Sequence, residues 1–248
     1  MPIPIDSSRH LSRRGFLNLA AAGAATAALS ACSTVGGGSR IIDAPPGLTP
    51  PPVSVDPGFG QDYASMYASV LDEGYEVPGI PIKKVPAQFR RQIVADPTGE
   101  RPGTLVVDTS THFLYLVREN GEAIRYGVGL GRAGFAWSGR AVIQWKRKWP
   151  KWTPPDEMIG RQPELEKYSV RNGGMQPGLN NPLGARALYI FKNNEDTLYR
   201  VHGSPEWWTI GKSVSSGCVR LMNQDIIDLY DRVPSKTPIL VTSSLGTA

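Results

Sequence analysis

The residues best able to attack a carbonyl carbon are the thiol of Cys218 and, sixteen positions upstream, the imidazole of His202. An ordinary thiol has a pKa of about 8.5, so it is mostly protonated and weakly nucleophilic at neutral pH. An imidazole that takes its proton gives a thiolate–imidazolium pair, which attacks carbonyls and forms a thioester. His202 ends an apolar run and is followed at once by Gly203, a pairing that exposes a side chain and permits close backbone approach. Cys218 lies in Ser215-Ser216-Gly217-Cys218-Val219-Arg220-Leu221. Gly217 relieves crowding at the thiol or admits a substrate carbonyl. Arg220 raises the local potential and can hold a carboxylate. Each residue also has a plainer reading. A single Cys is commonly a small buried apolar side chain, and a lone His is commonly structural. His112 is the other imidazole available downstream of the N-terminal leader.

Short strands are expected to position these groups. The runs GTLVVDTS, HFLYLVREN, EAIRYGVGLG, RAVIQWKRKWP, ARALYIF and TLYRVHG are apolar-rich and separated by turn signals. Asn120-Gly121 is a strong hairpin signal, and Asp96-Pro97-Thr98-Gly99 reads as a turn. Asp62–Asp72 has helical spacing at Tyr63, Met66, Tyr67 and Val70. DIIDLYDRV reads as a helix with Asn223 as its cap, and Pro238–Val241 as a closing strand. The predicted fold is mainly β, sandwich-like, with one or two short helices.

The chain has 248 residues, a formal charge of +5, 27 Gly and 22 Pro. That much Gly and Pro suits a fold rich in turns. The modest charge suits work beside an anionic polymer or membrane and does not single out nucleic acid. Two cysteines exclude a disulfide-built scaffold. The glycines of GVGLGRAG lack dinucleotide-loop spacing, and neither CxxC nor HExxH occurs. No metal or cofactor is expected. Asp156 and Glu157 are adjacent, would point apart on a strand, and do not make a glycosidase carboxylate pair.

The pattern HG…SSGCVRL resembles the catalytic signature of the YkuD-type L,D-transpeptidases, a bacterial cell-wall family. His202, Gly203, Ser215, Gly217, Cys218, Val219 and Arg220 carry the likeness, and Asn181-Pro182-Leu183-Gly184 resembles a further family stretch. The likeness runs from about Arg101 to Thr242. It implies a β-sandwich-like domain with Cys218 as nucleophile and His202 as general base. It implies that the backbone carbonyl of Gly203 orients His202, and that N–H groups near Gly217 and Cys218 form an oxyanion hole. Arg220, with Ser215 and Ser216, would position the peptide stem. Many members carry His where this chain has Ser216, a departure that bears on acceptor choice. The implied substrate is a peptidoglycan stem tetrapeptide. D-Ala leaves, and the thioester passes to a second stem as a 3–3 cross-link, to a wall-anchored protein, or to water as in an L,D-carboxypeptidase or endopeptidase. A non-enzymatic wall-binding lipoprotein is the rival, and retention of His202, Gly217, Cys218 and Arg220 speaks against it.

Trp207 and Trp208, between His202 and Cys218, are expected to wall the cleft and shield the thioester from water. The stretch WKRKWPKW either holds glycan or stem peptides or is a packed hairpin with solvated lysines.

The N-terminus reads as an address. Ser12-Arg13-Arg14 precedes an Ala-rich apolar run ending in Leu29-Ser30-Ala31-Cys32. The run is short for a membrane span. The whole describes an export signal with a twin-arginine opening, whose end resembles a lipobox with Cys32 as the lipidated residue; a simple cleaved signal with Cys32 a bystander and an uncleaved N-terminal anchor are the other readings. Expected domains are a signal at 1–32, a Gly/Pro-rich tether at 33–60, an N-terminal extension at 61–100 and the catalytic domain at 101–243. The protein is expected to be a monomer on the periplasmic side, anchored through Cys32 to a lipid membrane, with no nucleic-acid partner.

Overall fold

The computed structural model describes residues 62–131, 138–215 and 217–245. Its strands are β1 (Val70–Asp72), β2 (Tyr75–Val77), β3 (Gln92–Ala95), β4 (Leu105–Asp108), β5 (Phe113–Val117), β6 (Glu122–Gly127) and β7 (Leu130–Gly131). They continue as β8 (Gly139–Lys148), β9 (Arg186–Lys192), β10 (Glu195–Ser204), β11 (Ser213–Ser215), β12 (Val219–Met222) and β13 (Thr237–Thr242). The helices are α1 (Tyr63–Met66), α2 (Asp156–Arg161) and α3 (Asn223–Arg232).

Alternation places one set of side chains in the core. Leu105, Val107, Leu114 and Leu116 face the main core, while Val106, Tyr115 and Val117 join a smaller cluster on the opposite face. Asn120 and Gly121 lie in the tight loop between β5 and β6 with φ of 64° and 71°, positive values that Asn and Gly accept most readily. Nine strands form one sheet in the order β12-β10-β9-β8-β13-β4-β5-β6-β3. Ile93 of β3 and Val219 and Leu221 of β12 share one core, although their strands lie at opposite ends of that order. Two hydrogen bonds between Gly129 and Arg220 tie the segment after β6 to β12. The sheet therefore folds over its main core, which gives the sandwich-like, mainly β architecture its sequence predicts. Ile226, Leu229 and Val233 of α3 pack into that core.

The N-terminal segment departs from a continuous helix over 62–72. Only Tyr63–Met66 is α-helical, and β1 pairs with β2 across Glu73-Gly74, whose φ values of 50° and 86° end any helix. This segment reaches α3 through buried polar groups. The Tyr67 hydroxyl accepts from the Arg91 amide at 2.7 Å and donates to Asp225 at 3.2 Å. Gln224 Nε2 donates to the Pro78 and Ala68 carbonyls. Asp72 accepts two bonds of 2.7 Å from the Arg186 guanidinium and one from Trp149 Nε1. Because Arg186 is almost fully buried, loss of Asp72 would strand a charge there, a change that typically costs about 3–5 kcal/mol.

Two further expectations are corrected. Asp156 and Glu157 open α2 instead of lying on a strand, where their charges complement the helix N-terminus. Asn223 is the first residue of α3 and makes no cap bond, because its side-chain oxygen is committed elsewhere.

Candidate active site

His202 lies near the end of β10, between β9 and β12. It pairs with Ala187 on one side and, in parallel register, with Arg220 on the other. Its neighbour Val201 faces the core, so alternation turns His202 to the opposite face. The ring is almost fully buried, and its Nδ1 is 2.6 Å from the Gly203 carbonyl oxygen. A carbonyl only accepts, so Nδ1 carries the proton and Nε2 is left with a lone pair. Burial pushes the imidazole down to about 4. The Gly203 carbonyl works against that, and the positive charges of Arg220 and Arg200 add to it.

Gly203 is required by its surroundings. A Cβ there would lie 2.4 Å from Asn223 Oδ1 and 2.8 Å from Ile226 Cγ2. Asn223 Oδ1 accepts from the Ala185 amide at 3.0 Å. Gly184, at φ 60°, would carry a Cβ 2.3 Å from the same oxygen. Asn223 thus packs the start of β9 against the strand that bears His202. Asn181, the first residue of the Asn-Pro-Leu-Gly stretch, is fully buried and donates to the carbonyls of Pro150 and Gln176. It holds closed the long connection between β8 and β9.

Cys218 immediately precedes β12 and is half-buried. Burial pushes its thiol up. The Arg200 backbone N–H bonds to the sulfur, and with the charges of Arg200 and Arg220 it works in the other direction. Val219 faces the core as Val201 does, so Cys218, two residues before the register partner of His202, lies on the same face as the imidazole, and the charges of Arg200 and Arg220 act on both groups. An imidazole held near 4 is neutral at pH 7. Gly217 has φ 130°, and a Cβ on it would stand 2.9 Å from the Tyr199 ring. Both conformation and space select glycine beside the sulfur.

Arg220 Nη1 donates to Glu206 Oε2 at 2.8 Å, so its charge is held by the segment that leads to Trp207. Trp207 packs with Tyr67, Val85, Ile210 and Met222, whereas Trp208 is 52% exposed. The two rings meet edge to face at 5.7 Å. Ser215 closes β11, which pairs with β7. His112 Nε2 lies 3.1 Å from Ser213 Oγ on β11. Of the aromatic stretch after Gln144, Trp145 stacks on Tyr189 at 3.6 Å and Trp149 packs on Tyr75 at 4.1 Å. Ser216, Cys32 and the segments 1–32 and 33–60 lie outside the described residues. Among the described residues no cluster of three His, Cys, Asp or Glu side chains could hold a metal ion.

Sequence reasoning missed Arg200 and read Asn223 only as a cap. Both roles depend on contacts between strands far apart in the chain. Arg200 stands two residues before His202, and that spacing was the only signal available.

A family model described as the L,D-transpeptidase catalytic domain, YkuD, matches residues 102–241, more than half of the chain. The probable L,D-transpeptidase ErfK/SrfK of Escherichia coli (strain K12) is 27% identical over 216 residues, 82% of this chain and 65% of that protein. This chain therefore spans a little under two thirds of that relative. The probable L,D-transpeptidase YbiS of the same organism is 27% identical over 236 residues, 87% of this chain and 72% of that one. A solved structure from Brucella melitensis, described as a probable carnitine operon oxidoreductase, is 46% identical. It covers 60% of this chain and 91% of its own at a TM-score of 0.44. On the match of the family model, this chain belongs to the YkuD family of L,D-transpeptidase catalytic domains.

Proposed function

We propose that this protein is a peptidoglycan L,D-transpeptidase that works through a thioester on Cys218. His202 Nε2 takes the thiol proton as the sulfur attacks the carbonyl carbon of the third stem residue. The C–N bond to terminal D-Ala then breaks, and the imidazolium returns the proton to the departing amine. In the second half an acceptor amine attacks the thioester, its proton passes to His202, and the C–S bond breaks to release Cys218. The acceptor is the side-chain amine of a second stem, giving a 3–3 cross-link, or a lysine of a wall-anchored protein. Backbone N–H groups at Gly217 and Cys218 would stabilise the oxyanion of each tetrahedral intermediate.

The observation that carries this reading is the His202 Nδ1 bond to the Gly203 carbonyl. It leaves Nε2 unprotonated in the electrostatic environment shared with Cys218. An imidazolium with so low a pKa is also a strong acid, suited to protonating a leaving amine. The Arg-Arg opening, apolar run and Leu-Ser-Ala-Cys end at residues 12–32 support an exported protein held at a membrane through lipid on Cys32.

The test is incubation of the protein with a disaccharide-tetrapeptide, followed by intact mass and product analysis beside a C218A control. An acyl adduct on Cys218, loss of D-Ala and a cross-linked dimer are expected. D-Ala loss without dimer would leave hydrolysis or a protein acceptor as the reaction. Equal D-Ala release by C218A would rule out the thioester.

A further inference from the structure

Arg200 is held more firmly than a surface arginine needs to be. Its guanidinium donates to both carboxylate oxygens of Asp196, at 2.7 and 2.8 Å, and to the Tyr199 carbonyl at 2.9 Å. It lies 4.3 Å from the centroid of Tyr189, whose ring also stacks on Trp145. The Arg200 side chain is 13% exposed. The arrangement depends on an irregularity in β10. The pairing with β9 shifts between Asp196 and Arg200, and Leu198 takes φ 62° at the bulge. A non-glycine residue with positive φ is uncommon, and bulges of this kind often re-aim side chains beside active sites. Thr197 repairs the interrupted ladder, since its hydroxyl donates to the Ile190 carbonyl and accepts from the Tyr199 amide. The bulge brings Asp196 around to grip Arg200, one strand away from Cys218.

Arg200 meets the sulfur in two ways. β10 and β12 run parallel with Val201 opposite Val219, and both of those side chains enter the core, so Arg200 and Cys218 are neighbours on the opposite face. The Arg200 peptide N–H bonds to the sulfur, and its guanidinium acts on the same group as a fixed positive charge. Resting on the reading of Cys218 as the nucleophile, we propose that Arg200 is a positioning residue. Its N–H holds the sulfur, and its Asp196-gripped guanidinium favours the thiolate over the thiol. Arg220 is the weaker support of the two, since it adds a charge, itself paired with Glu206, but no N–H to the sulfur. The Asp196 carboxylate sets how much of the Arg200 charge the sulfur feels. Arg200→Gln keeps the N–H while removing the charge and the guanidinium's contacts with Asp196, the Tyr199 carbonyl and the Tyr189 ring, and Arg200→Lys keeps both N–H and charge.

The experiment is the rate of iodoacetamide alkylation of Cys218 against pH in the full chain. It is read on the Cys218 peptide by mass spectrometry, so that Cys32 does not contribute. Losing a nearby positive charge moves a thiol pKa by about one unit or more. Arg200→Gln should therefore shift the profile to higher pH and slow alkylation at pH 7 about tenfold. Arg200→Lys should restore most of the rate. Asp196→Asn, which keeps the acceptor for the Leu198 amide, should shift the profile the opposite way and speed alkylation. That variant also stands in if Arg200→Gln fails to fold. Coincident profiles for the folded variants, or an Asp196→Asn shift toward higher pH, would overturn the proposal. Alkylation reports on the thiol whether or not a stem peptide is turned over, so its result is separate from that of the C218A assay.

Discussion

The Nδ1–H of His202 donates to the carbonyl oxygen of its own neighbour, Gly203, at 2.6 Å. A backbone carbonyl cannot take a proton, so this partner fixes the tautomer without sharing the charge. Burial then holds the imidazole near 4. The acid limb of kcat/KM for D-Ala release should accordingly lie near pH 4, and the alkaline limb above the ordinary thiol value. His202→Gln should lower the rate about 100-fold or more. A limb near pH 6.5 that vanishes in His202→Gln would mean that the ring is not held as the geometry requires.

Asn223 joins the start of β9 to β10, and its loss should be felt in stability. Asn223→Ala would leave the buried Ala185 N–H without its acceptor, at a cost of about 1–3 kcal/mol. Asn223→Asp keeps the acceptor and should cost less at neutral pH. Gly203→Ala would push a methyl into the same oxygen and should destabilise by about 1–3 kcal/mol. Urea unfolding of the three variants checks the order, and an Asn223→Ala midpoint equal to wild type would refute it.

The strands announced themselves because their causes are local. The alternation of Leu105, Val106 and Val107, and the turn at Asn120-Gly121, need only neighbours in sequence. The spacing between His202 and Cys218 is one the fold converts into adjacency, with His202 on β10 and Cys218 just before its parallel neighbour β12. Arg200 was not legible, since its place beside Cys218 depends on a bulge and on register between strands. Asn223 misled for a related reason. The same residue type caps helices and bonds distant amides, and only tertiary packing chooses between them. The segment 62–72 kept a helical period for one turn, but Gly74 and the Asp72–Arg186 pair make it a hairpin.

Asp225 is fully buried on α3, where Arg91 Nε stands 3.9 Å away and the Tyr67 hydroxyl and Asp228 are its other neighbours. Burial raises its carboxyl to about 7, while Arg91 and Tyr67 oppose the rise and Asp228 adds to it. The folded state therefore binds this proton more tightly than the unfolded chain. The stabilisation is full below pH 3.8 and is lost as pH rises toward 7, by at most about 4 kcal/mol. Asp225→Asn has no proton to lose. Its melting temperature should gain on wild type between pH 4 and 7, and a constant difference across that range would sink the assignment. His202 has the opposite sign, losing stability as pH falls from 6.5 toward 4, but it is common to both proteins and cancels.

The adjacent tryptophans should separate stability from substrate binding. Trp207 is packed against Tyr67, Val85, Ile210 and Met222, so Trp207→Ala should remove about 3 kcal/mol of stability. Trp208 is 52% exposed and meets Trp207 edge to face, so Trp208→Ala removes little buried area and should leave the unfolding midpoint nearly unchanged. If Trp208 covers the bound stem, its loss should raise KM several-fold and increase the share of thioester lost to water, because an exposed ring contributes by excluding solvent. The ratio of free tripeptide to cross-linked dimer measures that share. An unchanged ratio and KM in Trp208→Ala would remove this residue from the substrate surface.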